Sequence, residues 1–154
     1  MLELLLSVFY AFLSSLAFSM VFEVHGKTCF STAIGGGIAW LIYRLVSMMH
    51  SNYLLPYFIA TLGAAVFSEL MARIKKKPAT VYLVVAMLPL VPGQGIYESM
   101  YAFAMGDNQK GIELSTQTLA ISGSLALGIL LTSTAIKIFQ QIFFHDKSKK
   151  LERI

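Results

Sequence analysis

Arg44, Glu69 and Glu98 stand within apolar runs. A charge in hydrocarbon is costly, so such groups pair, face a water-filled cavity or serve transport. Carboxylates suit proton coupling, because desolvation raises their pKa towards neutrality. Glu98 closes the stretch Pro89-Leu90-Val91-Pro92-Gly93-Gln94-Gly95-Ile96-Tyr97-Glu98, with two prolines and two glycines in its first seven residues. Regular helix cannot continue there: each proline removes a donor and clashes with the preceding turn, and each glycine loosens the rest. In lipid a broken backbone survives only where protein or a water-filled cavity satisfies its polar groups. A discontinuous membrane helix is the usual pointer to a transport site. The half-helix after the break offers unpaired N–H groups and a partial positive charge to a carboxylate. Carbonyls freed around Pro89 and Gly93 offer themselves to an ammonium. Together these match the two charges of an amino acid. Pro89, Pro92, Gly93, Gly95 and Tyr97 are therefore the candidate substrate-binding positions. The alternative is a plain proline kink packed in a bundle.

Glu98, Arg44 and Glu69 are the candidate coupling or gating groups. Arg44 and Glu98 fall at comparable depths and are expected to interact, directly or through water. Such a pair forms a gate or a substrate or proton contact, or else a structural ion pair between two helices. Glu69 precedes Arg73 by four residues, the spacing of an interfacial i,i+4 pair; the alternative is a proton-coupling carboxylate facing a cavity.

These residues must be positioned by membrane helices. The 154 residues are 56% hydrophobic and only 13% charged, and mean hydropathy is +0.70. A soluble domain carries roughly 45–50% apolar and about 25% charged residues, so the expected fold class is all-α, a single polytopic membrane bundle over residues 1–154. Five segments are long enough to cross a bilayer: Leu2–Phe22, Cys29–Met49, Tyr53–Ala72, Ala79–Met105 and Ser115–Phe143, the fourth interrupted at Pro89–Gly95. Met1 to Phe22 lacks a basic n-region and a small-residue cleavage site, so it reads as a retained span. Lys27, then Arg73, Lys75, Lys76 and Lys77, then Lys147, Lys149, Lys150 and Arg153 lie on alternate connections and the tail at 145–154, opposed only by Lys110. Basic loops stay cytoplasmic, which puts the N-terminus outside and the C-terminus inside. With one broken helix and no internal repeat, the chain reads as half of a transport unit, completed by another copy or a different subunit.

Other chemistry finds little support. Ser31, Gly35 and Ala39, Ala60, Ala64 and Ser68, and Ser124, Gly128 and Thr132 recur at helical spacing and read as contact faces. Gly35-Gly36-Gly37 lacks the context of a phosphate loop. His25, His50 and His145 lack metal-ligand spacing, and Cys29 has no evident catalytic partner. No catalytic residue, metal, cofactor or nucleic-acid partner is expected, and the protein does not read as an enzyme.

The chain resembles the threonine/serine exporter family, specifically the small subunit matching that exporter's C-terminal half. The resemblance is carried by Pro89-Leu90-Val91-Pro92-Gly93, Tyr97, Gly106-Asp107 and Gly111. It is supported by the glycine-rich start of span two with Trp40 and Tyr43-Arg44, and by the basic turn Arg73 to Pro78 followed by Ala79-Thr80. It implies a protein of the bacterial cytoplasmic membrane that exports small polar metabolites, driven by the proton gradient. It further implies a larger partner subunit of about five more spans; the absence of a long soluble N-terminal region fits the small subunit. Threonine and serine are the first cargo expected, and succinate-type dicarboxylates the second, with Arg44 as the extra cation. A scaffold that does not itself transport, and a passive channel, are the readings from other classes.

Overall fold

The computed structural model describes residues 1–151, with side chains for all of these except residues 140 and 142–151. The described residues form six α-helices: α1 (Leu2–Val21), α2 (Lys27–Met49), α3 (Leu54–Lys75), α4 (Ala79–Met87), α5 (Gly93–Ala104) and α6 (Asn108–Leu151). A 3-10 turn, Leu88–Leu90, follows α4. Four helices are long and apolar enough to cross a membrane alone. The stretch Ala79–Leu90 and α5 make a fifth span if taken together, bent by 51° at the break. Each half is 12 residues, about 18 Å of helix, too short for the ~30 Å hydrocarbon core. The all-α membrane bundle expected from composition is what the chain forms.

Local chemistry explains the helix ends. Lys76 closes α3 in the left-handed conformation, φ 53°, and Pro78 follows where no helix can continue. Gly106, φ 82°, supplies the left-handed turn after α5. Asp107 then caps α6, its Oδ1 accepting the Lys110 N–H at 3.1 Å. This cap starts α6 seven residues before the expected Ser115. At 44 residues, α6 is about 66 Å long, more than twice the hydrocarbon thickness. Side chains of the basic tail at 145–154 lie outside the described residues.

Helix packing relies on small residues. α2 is central, packing on α1, α3 and α4, while α6 packs on α3 and α5. A β-carbon at Gly35 would press on Phe67 of α3 and Ala86 of α4, both within 3.1 Å. One at Gly128 of α6 would meet Thr61 of α3. Ala39, Ala60, Ala64, Ala86 and Leu90 form the buried core. Large apolar side chains such as Leu5, Phe9, Leu127 and Leu130 are exposed, as lipid contact requires. The small-residue faces expected from spacing are contact faces, except at Ser31, which is half-buried and bonds its own helix at Lys27 O.

The α1–α2 and α3–α4 connections meet at one end of the bundle, where Lys77 Nζ donates to Thr28 Oγ1 at 2.9 Å. That end carries Lys27, Arg73, Lys75, Lys76 and Lys77 and is called the basic end below.

Candidate functional site

The break builds a cavity. Proline at 89 and 92 ends the α4 segment, and α5 restarts at an angle, leaning onto α6. The gap has a volume of ≈ 320 Å³. The break residues Pro89 to Gly95 and Glu98 line one side. Trp40 of α2, Tyr57 of α3, and Leu114, Gln117, Thr118 and Ile121 of α6 line the other. It lies on the far side of the break from the basic end.

Its polar groups are specific. Pro92 has no N–H to return to the Pro89 carbonyl, and the Gly93 N–H instead donates to Val91 O at 2.8 Å. Ile96 N–H donates to Pro92 O at 3.2 Å. No side chain caps α5. The N–H groups of Gln94 and Gly95 therefore have no partner among the described residues, and they mark the positive end of the α5 dipole. One turn further on, Glu98 Oε1 accepts from Gln94 Nε2 at 2.7 Å. Trp40 Nε1 is buried without a partner. Its ring lies 5.1 Å from Tyr43, whose ring lies 4.6 Å from Tyr57. No lysine or arginine among the described residues lines the cavity.

The two glycines of the break differ. A β-carbon at Gly93 meets nothing within 4 Å, so this lining position has open space beside it. At Gly95 it would come within 2.5 Å of Thr118 Oγ1, so glycine there lets α5 approach α6.

Of the expected substrate positions, Pro89, Pro92, Gly93 and Gly95 line the cavity, and Glu98 joins them. Tyr97 does not: it is 69% exposed and stacks on Tyr101, ring centroids 6.2 Å apart. Two residues past Gly95, it is turned about 200° around the helix axis. No direct ion pair within 4 Å joins Arg44 and Glu98 among the described residues. α5 leans onto α6 rather than α2, Glu98 bonds Gln94, and Arg44 Nε is buried without a partner. Glu69 and Arg73 line a separate groove with Ala135, Ile136 and Phe139 between α3 and α6 near the basic end. They form no ion pair within 4 Å among the described residues. Trp40, Tyr57, Gln94, Gln117 and Thr118 were not expected as site residues. The α6 set was visible in principle: Leu114, Gln117, Thr118 and Ile121 follow the i, i+3, i+4, i+7 spacing of one helix face.

Fold and cavity together define a polytopic helical membrane protein with a polar cavity at an interrupted span. The family model for the threonine/serine exporter, ThrE, matches residues 7–135. The chain therefore belongs to the threonine/serine exporter family. It is similar to a "Probable threonine/serine exporter" of Mycobacterium tuberculosis, with 22% identity over 137 residues. That match covers 86% of this chain and 26% of the relative, so the chain spans about a quarter of the relative's length. No solved structure matches.

Proposed function

We propose that this chain is a subunit of a secondary transporter that exports threonine, serine or similar amino acids through the cavity at the broken span. The cavity's composition carries the proposal: free N–H groups of Gln94 and Gly95 at one edge and the Glu98 carboxylate one turn away, with no cation among the described residues of the lining. A zwitterion meets both needs, its carboxylate at the α5 N-terminus and its ammonium near Glu98. A dicarboxylate would bring a second negative charge towards Glu98, and Arg44 is not in the lining to receive it. A single interrupted span supports a larger companion subunit that supplies the remaining spans. Basic residues at one end support a cytoplasmic placement of that end in a bacterial plasma membrane, with the N-terminus outside. Glu98, the one carboxylate on the cavity among the described residues, is also the candidate for proton coupling.

The test is efflux of preloaded labelled threonine from cells carrying this chain alone, with the companion subunit, and with the companion plus Glu98→Gln. Efflux only with both subunits, reduced in Glu98→Gln at equal complex abundance, is the expected result. Undiminished efflux in Glu98→Gln would remove the carboxylate from the site. No efflux from an intact complex would favour a scaffold.

A further inference from the structure

A second polar feature runs from the break towards the basic end, between α1 and α2. On α1, Ser15 and Ser19 are fully buried and one turn apart. On α2, Gly36, Thr32 and Thr28 are buried at the same spacing. Ser15 abuts Gly36 so closely that a β-carbon there would overlap its hydroxyl, and the same position lies 3.6 Å from Pro89 at the break. Ser19 and Thr32 hydroxyls are 2.6 Å apart. Thr28 accepts from Lys77 at the basic end. The seam from Gly36 to Thr28 is about 12 Å long, so it joins the break to the bundle's basic face.

Static packing does not account for its polar groups. Ser15 Oγ and Tyr82 OH have no hydrogen-bond partner among the described residues, although both are 0% exposed. Buried polar groups almost always find partners, and an exception calls for a specific explanation such as a visiting water or ligand. Tyr82 lies one turn before Ala86 on α4, on the face that meets Gly35 of α2. The Ser19–Thr32 pair is frustrated as well. Ser19 Oγ is 2.8 Å from Ser15 O, Thr32 Oγ1 is 2.7 Å from Cys29 O, and the hydroxyls contact each other. Two hydroxyl hydrogens cannot serve three contacts at once, so the pair has interchangeable arrangements and one acceptor always left over. One wall of the seam is α1, which packs mainly on α2, with lesser contact to α4 and the 3-10 turn.

We propose that this hydroxyl seam is the second half of the substrate path, closed in this conformation. It opens when α1 separates from α2 and α4, and it admits a hydrated, polar, uncharged or zwitterionic solute. Lys77 on Thr28 ties its mouth. The proposal rests on the cavity being the transport site.

The test uses the assembled transporter with Cys29→Ala and single cysteines at Ser15, Ser19 or Thr32, labelled from the Lys77 side with the membrane-impermeant cation MTSET. Ala64→Cys, equally buried on α3, is the control. Seam cysteines are expected to react at least tenfold faster than Ala64→Cys, at a rate that threonine changes. Seam rates equal to the control, with and without threonine, would overturn the proposal. Tyr82→Phe removes only an unpartnered hydroxyl. Slowed efflux at unchanged abundance and thermal stability supports a path role; unchanged efflux counts against it. Labelling without threonine efflux would fault the amino-acid reading and keep the seam. Threonine efflux with a silent seam would fault the seam alone.

Discussion

Gly93 offers the sharpest steric test, because it lines the cavity and has open space where a side chain would stand. Leucine adds four heavy atoms. At roughly 30 Å³ each, the share of a water molecule in the liquid, they remove about 120 Å³ from a cavity of ≈ 320 Å³. About 200 Å³ is left. More than a third of the space is then gone, and threonine meets narrowed walls. Forcing extra atoms into a packed site costs about 1–3 kcal/mol, which is a five- to hundredfold loss at 1.4 kcal/mol per tenfold. Alanine adds only about 30 Å³ and leaves room. Gly93 is the first residue of α5 and its φ is not positive, so neither substitution strains the backbone. The assay is the initial rate of labelled threonine efflux, normalised to the amount of assembled complex. Gly93→Ala should keep most of the rate, and Gly93→Leu should lose at least fivefold. Gly123 of α6 also meets nothing within 4 Å but does not line the cavity, so Gly123→Leu should leave efflux unchanged. Wild-type efflux in Gly93→Leu, or equal losses at both positions, would refute the steric argument.

Further outcomes follow from the same contacts. Gly36→Ala should destabilise the bundle by about 1–3 kcal/mol through its clash with Ser15, with Ser15→Gly recovering most of the loss in a double-mutant cycle read by thermal denaturation in detergent. Gly95→Ala should slow efflux by pressing on Thr118 Oγ1, and Thr118→Ala in the same chain should restore it. Arg44→Gln should leave threonine efflux unchanged at equal complex abundance, since Arg44 does not line the cavity; a loss of efflux would place it in the path. Lys77→Ala, which removes the tie to Thr28, should raise the MTSET reactivity of Ser19→Cys.

The spans and the break were legible because their signals are local. Runs of about 20 apolar residues and a Pro-Leu-Val-Pro-Gly element act on the chain wherever it goes. Lateral placement was not legible. Position along the spans suggested a common depth for Arg44 and Glu98, but depth is one coordinate, and no direct ion pair joins them among the described residues, where α5 packs on α6. Tyr97 shows a different gap. Once α5 begins at Gly93, helical periodicity alone turns Tyr97 and Tyr101 outwards and sets Gln94 and Glu98 on one face. Asp107 likewise carried an N-cap signal after Gly106, and it extends α6 beyond its apolar stretch. Trp40 and Tyr57 reach the cavity only through the packing of α2 and α3 around the break.

The most direct test of the central claim is dual-label efflux. Cells carrying this chain and its companion subunit are preloaded with differently labelled threonine and succinate, and both labels are followed in one experiment. A cavity with free N–H groups, one carboxylate and no cation predicts that threonine leaves and succinate stays. Succinate leaving while threonine stays would contradict the account.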